Sequence, residues 1–158
     1  MLNRKGVDIA VTGWLTRRSP FGVLMLKIDA TPNAPDNNSS GDDDGVADEL
    51  SVKSVSRLID EAMRDCDLAG RWGHDEFLVL CRDEDPKRIL GFGNRMRVIV
   101  EEETASTSNP LSVSVGVSLY PLFEHFDETL QRATAALEEA QAAGKNCVRA
   151  LWRAGVSL

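Results

Sequence analysis

Two short stretches of this chain concentrate side chains able to do chemistry. Arg64-Asp65-Cys66-Asp67 contains an Arg-x-x-Asp pair. A guanidinium presents a rigid fork that clamps a phosphate or a purine acceptor edge bidentately, and an ionised carboxylate accepts from N–H donors. Taken alone, such a pair also describes an ordinary ion pair at a solvated helix end. Arg71-Trp72-Gly73-His74-Asp75-Glu76-Phe77 sets an imidazole and two carboxylates around a glycine turn. Ser40-x-Asp42-x-Asp44-Gly45 alternates oxygen donors as a calcium loop does, but Ser51 stands where the bidentate Glu is needed, so no calcium site is expected. Cys66, Cys81 and Cys147 are odd in number, far apart and without a CxxC pair. That pattern argues against a disulfide framework and a zinc site and predicts reduced, packed thiols.

The elements that position these groups belong to one domain of 158 residues, 42% hydrophobic and 27% charged. The net charge of −7 argues against a sequence-independent nucleic-acid binder and an anionic-membrane binder, so an anionic ligand needs a local Arg or Lys cluster. No apolar run approaches the roughly 20 residues that span a bilayer. Asp8 stands where a signal peptide needs its apolar stretch, which leads to a cytoplasmic expectation.

Phe21-Gly22-Val23-Leu24-Met25-Leu26-Lys27-Ile28 reads as a buried strand ended by Asp29, and 33–47 as a mobile acidic loop. Val52, Val55, Leu58, Ile59, Ala62 and Met63 mark one face of a helix over 48–64 that should cover that strand. Extended segments on either side of Gly73-His74-Asp75 predict a hairpin. A helix over 86–103, a strand over 111–117, a helix over 127–143 stopped by Gly144 and a strand over 147–152 follow. The order predicts an α+β fold, helices packed over a mostly antiparallel sheet.

Arg71-Trp72-Gly73-His74-Asp75-Glu76-Phe77 in a hairpin resembles the signature of the GGDEF family, the diguanylate cyclases that join two GTP molecules into cyclic di-GMP. Ser112-Val113-Ser114-Val115-Gly116-Val117 is similar to the family's later strand, and 133–146, ending Gly144-Lys145-Asn146, to its last helix. Val11-Thr12-Gly13-Trp14-Leu15-Thr16-Arg17-Arg18 resembles the entrance motif, with the long helix expected after it missing. The resemblance implies a nucleotide-cyclase-like sheet with a shortened N-terminal region. It assigns 21–158 to a degenerate GGDEF domain and leaves 1–20 as a poorly assigned N-terminal segment.

The resemblance also implies carboxylates for divalent metal at the end of the first strand and at the third signature position. Asp75 suits the latter, but the metal-binding Asp of the family's Asp-x-Asp pattern is Lys27, with Asp29 as its second member. An ammonium repels the ion such a site binds. Pro35 replaces the guanine-reading Asn, His74 the second signature Gly, and Gln141 a phosphate-contacting Lys, while Lys145 keeps a positive charge. Asp48 or Glu49 falls near the family's second guanine contact. Lys27, Asp29, His74, Asp75 and Glu76 are thus read as vestigial, with no catalytic residue, no metal, no cofactor and no enzyme activity expected. Magnesium enters only under the alternative of a weak cyclase.

Arg64 and Asp67 lie nine and six positions before Gly73, the spacing of the family's product-inhibition site, and the matching Arg on the next helix is Arg95. The resemblance therefore implies a cyclic di-GMP receptor through Arg64, Asp67 and Arg95, with Asp67 on the guanine donor edge. A homodimer or a signalling-protein partner is the further expectation, with no nucleic acid and no membrane. A nucleotide-free interaction scaffold is the remaining alternative.

Overall fold

The computed structural model describes residues 1–29, 47–153 and 156–157. Its elements are α1 (Arg4–Thr16), β1 (Phe21–Ile28), α2 (Glu49–Ala62), β2 (Leu68–Arg71), β3 (Glu76–Cys81), α3 (Pro86–Thr104), β4 (Val113–Tyr120), α4 (Phe126–Ala142), β5 (Val148–Arg153) and β6 (Val156–Ser157). The strand order is β2-β3-β1-β4-β5-β6. All pairs are antiparallel except β4–β5, which α4 joins as a crossover. The fold is the α+β sheet-and-helix architecture expected from the hydrophobic periods. The acidic loop over 33–47 and the reading of Pro35 fall, apart from Ala47, outside the described residues.

β1 is apolar except for Lys27 because both of its faces are covered. Leu24, Leu26 and Ile28 join Val55 and Ile59 of α2 and Ile89 and Met96 of α3 in one core layer. Val23 and Met25 point the other way, to Val7 and Val11 of α1 and Ala133 and Leu137 of α4. α1 explains the residues that resemble an entrance motif: Val11 to Thr16 are the second half of this helix, not a loop before one. Its approach to β2 is close, since a Cβ on Gly70 would collide with Val7.

Local signals fix the helix starts. Asp48 caps α2 by accepting from Ser51 N–H at 2.7 Å, and Asp85 caps α3 just before Pro86. After α4 the chain runs through three left-handed residues, Gly144, Lys145 and Asn146, with φ of 119°, 66° and 47°. Arg132, buried between α4 and β4, donates to both Glu124 oxygens, at 3.0 and 2.5 Å, and to Ser118 Oγ at 3.2 Å. The thiols depart from expectation in one case. All three are free, but Cys66 is exposed, because its turn lies beyond the apolar face of α2.

α4 crosses β4 so closely that a Cβ on Gly116 would enter the Ala133–Leu137 backbone, while one on Gly91 in α3 meets open space. Gly116→Ala should cost about 3 kcal/mol or more, and Gly91→Ala should stabilise by about 0.5–1 kcal/mol, read from urea unfolding midpoints.

Stability should also depend on pH. Burial pushes the Glu124 carboxyl up, but hydrogen bonds from Arg132 and Thr129 outweigh it and hold it below its ordinary 4.5. The Ser51 N–H lowers Asp48 below 3.8. Both carboxyls are less basic folded than unfolded, so their stabilisation is complete above those values and lost as pH falls through them. Glu124→Gln should flatten the acid limb of a thermal-midpoint profile.

Candidate functional site

The end of α2 and the start of β2 bring Arg64 and Asp67 together. Arg64 Nε donates to Asp67 Oδ2 at 2.6 Å and Nη2 to Oδ1 at 2.9 Å, a bidentate fork. The Asp67 side chain is fully buried, while that of Arg64 is 48% exposed. Asp67 Oδ1 also accepts from Arg82 N–H at 3.0 Å, tying the turn to the end of β3. Hydrogen bonding to Asp67 raises the Arg64 guanidinium further above its already high ordinary value. Arg64 Nη2 lies 3.3 Å from Cys81 Sγ, and burial pushes that thiol up to about 12.

The same guanidinium lies over the Phe92 ring of α3, 5.4 Å from its centroid. Arg95 is exposed three residues further along α3, so helical spacing puts it on the side that Arg64 covers. Arg88, four residues before Phe92, extends the stripe, its Nε–H shared between the two Asp83 oxygens at 2.9 and 3.1 Å. Sequence reasoning missed Arg88 and Phe92, although their spacing with Arg95 over one α3 face was the available signal. The carboxylate of Asp67 is spent on Arg64 and on the Arg82 N–H in this conformation. Reading a guanine edge with it requires the Arg64 pair to open.

The signature hairpin gathers a second group. Ile28 N–H donates to Asp75 O at 3.0 Å, so the turn sits against the end of β1. Lys27 pairs in register with Glu76 on one side and Ser114 on the other. Arg71 Nη2 donates to His74 O at 2.5 Å, His74 Nε2 lies 2.9 Å from Ala47 O, and Arg71 Nη1 faces Glu49 at 3.6 Å. Asp48 is occupied as the α2 cap. Gln141 is half-buried and Lys145 exposed at the far end of α4.

The donor set does not suit the divalent metal that the resemblance implies. Asp29 is 6% exposed, and its oxygens accept from Ser112 Oγ and Ser114 Oγ, both at 2.6 Å, and from Asn146 N–H at 3.0 Å. Three of the roughly four acceptor sites of that carboxylate are used inside the fold. Asp75 is buried, and Lys27 stands opposite the next residue, Glu76, in the sheet register. Among the described residues, no group of three or more His, Cys, Asp or Glu is arranged to hold a metal ion.

The family profile described as "Diguanylate cyclase, GGDEF domain" matches residues 5–147. The chain belongs to the GGDEF family. Diguanylate cyclase A of Treponema denticola is 28% identical over 136 residues, which cover 84% of this chain and 35% of that protein. The cyclic di-GMP phosphodiesterase NbdA of Pseudomonas aeruginosa is 34% identical over 133 residues, 82% of this chain and 16% of that one. The GGDEF domain of DgcB from Caulobacter crescentus, solved with c-di-GMP, superposes with a TM-score of 0.73 at 22% identity, covering 94% of this chain and 90% of that one. The chain thus spans about a third or less of the curated relatives it matches.

These relatives correct one expectation from the sequence. Several proteins that match most of this GGDEF chain are named diguanylate cyclases, which overturns the reading that it is not an enzyme. Substitutions at single positions do not show inactivity, and enzyme activity is plausible for a chain so related.

The thiol environments give a direct test of the Arg64 turn. Cys66 should react within seconds to minutes with a thiol-specific disulfide reagent at pH 8, while Cys81 should react only on unfolding. Asp67→Ala strands Arg64 and the Arg82 N–H, so it should cost about 2–3 kcal/mol and expose Cys81 to the reagent.

Proposed function

We propose that this GGDEF domain binds cyclic di-GMP at Arg64, Asp67 and Arg95. One observation carries the reading: Asp67 holds the Arg64 guanidinium over Phe92, which sets it against the α3 face that bears Arg95. Cyclic di-GMP carries two phosphates and two guanines, and two guanidiniums on one face match either acceptor set. In a chain of net charge −7, that local cationic surface is where a dianion is drawn. Solved GGDEF domains of this fold include complexes with c-di-GMP, and one solved relative, the diguanylate cyclase SiaD, is bound to its activator SiaC. A ligand shared between two Arg-bearing surfaces would pair two copies of the domain, and a signalling protein is the other partner class. No helix among the described residues is long and apolar enough to cross a membrane.

The names of the relatives favour a second reading, diguanylate cyclase activity. Incubation with GTP and magnesium, followed by chromatography, tests it: cyclic di-GMP as product establishes that reading.

Isothermal titration with cyclic di-GMP tests the first reading. Arg64→Ala and Arg95→Ala should each weaken binding by roughly 30- to 1,000-fold, equivalent to about 2–4 kcal/mol for a lost charged contact. Asp67→Asn should weaken it and erode the preference over cyclic di-AMP. Absence of heat and of dimerisation with the wild-type chain at submillimolar ligand removes the reading.

A further inference from the structure

We infer that two copies of this chain pair through the end of the sheet remote from the signature turn, each inserting Phe123 into a cleft beside Trp14 of the other. The signature turn sits on Ile28, at one end of β1, and the cleft opens at Phe21, at the other. It has a volume of about 160 Å³ and is lined by Trp14, Arg17, Ser19, Pro20, Phe21 and Arg82. The Phe21 and Trp14 rings meet edge to face, 5.2 Å between centroids, and the Arg17 and Arg82 guanidiniums each lie 5.5 Å from the centre of the Trp14 ring. Among the described residues neither guanidinium makes an ion pair within 4.0 Å. Two cations gathered on one indole without a carboxylate favour an acidic neighbour, and an apolar cavity of about 150 Å³ is enough to hold a benzene ring.

The chain carries a matching group at the same end. β4 stops at Tyr120, which pairs with Phe21 in the ladder, and Leu122 then packs on the second core layer with a left-handed φ of 86°. The next residue, Phe123, is 94% exposed, more than any other large hydrophobic side chain among the described residues, so its own chain does not hold the ring. Four residues on, in the first turn of α4, Asp127 is exposed and makes no ion pair within 4.0 Å among the described residues. An aromatic anchor with a carboxylate close by thus complements an aromatic wall with two uncompensated guanidiniums. Phe21 joins the two features, because it lines the cleft and its ring lies 5.0 Å from Tyr120 and 6.2 Å from Phe126, the residues that flank the Phe123 loop. A knob and a hole at one end of a molecule let a two-fold axis satisfy both at once, which closes the pair as a dimer. The contact needs no nucleotide and uses neither Arg64, Asp67 nor Arg95.

Sedimentation velocity of the whole chain without nucleotide tests the pairing. A contact built on two anchors is small, so the wild-type chain should populate a dimer at about 100 μM. Phe123→Ser removes a ring that packs on nothing in its own chain, so folding is kept. The change is made twice per dimer, at about tenfold each, and should weaken association about 100-fold. Arg82→Glu alters an exposed side chain and should also weaken the dimer, as should a rise to about 0.5 M salt. Arg95→Ala should leave it unchanged, which separates this pairing from one made through cyclic di-GMP. In an equimolar mixture of isotope-labelled and unlabelled chains, nuclear Overhauser effects should join the Phe123 ring of one chain to the Trp14 ring of the other. A monomer at about 1 mM overturns the inference. So does a dimer that Phe123→Ser or Arg82→Glu leaves unchanged, loss of the dimer in Arg95→Ala, assembly beyond two copies, or the absence of those effects between chains.

Discussion

The carboxylate of Asp29 ties together parts of the chain that are far apart in sequence. It closes β1, accepts from two serines at the start of β4, and accepts from the Asn146 N–H in the turn between α4 and β5. Its own N–H donates to Ser112 O at 2.9 Å. A buried carboxylate is tolerable only when it is hydrogen-bonded, and here three donors reach its two oxygens. That requirement sets the end of the central strand. Much else is set with it: the register of Lys27 against Glu76 and Ser114, the seat of the signature turn on Ile28, and the path through the left-handed residues Gly144, Lys145 and Asn146. Asn146 extends the same network to α3, since its Oδ1 accepts from Arg97 at 3.0 Å and its amide donates to Glu101.

An acidic chain must also decide where its guanidiniums go. Arg132 is held inside by Glu124, Arg88 donates from Nε to Asp83, and Arg64 is forked onto Asp67. The last pair differs in exposure, because its carboxylate is fully covered while half of the Arg side chain faces solvent. Burying one partner and exposing the other turns an ion pair into a mount: Asp67 fixes the direction of the fork and leaves its outer side facing solvent. The same pair spans α2, the β2–β3 hairpin and α3 through the Arg82 N–H, Cys81 and Phe92.

Most of the fold was legible in the sequence. The apolar run of β1, broken only by Lys27, and the 3.6-residue period of α2 are direct prints of burial on two faces and on one stripe, whereas β4 alternates in polarity but is buried on both faces, Ser114 and Ser118 included. The i, i+3 spacing that pairs Arg64 with Asp67 was legible as well. α1 was harder to read, because only Val7 and Val11 of it are buried. β4 runs to Tyr120, past its clean alternation, because Gly22 and Phe21 offer it partners.

What tertiary structure alone decided is the use to which each polar group is put. Residue type says that Asp29 and Asp67 are acceptors, but only the folded chain shows their oxygens filled from within, Asp29 by β4 and the α4–β5 turn and Asp67 by Arg64 and Arg82. Likewise, Cys66 and Cys81 are the same residue, one exposed and one buried beside Arg64. Hydrophobic periodicity is local, so a single strand or helix carries it in its own letters. Hydrogen-bond saturation is a property of donors brought from remote segments, and it exists only once the sheet has closed.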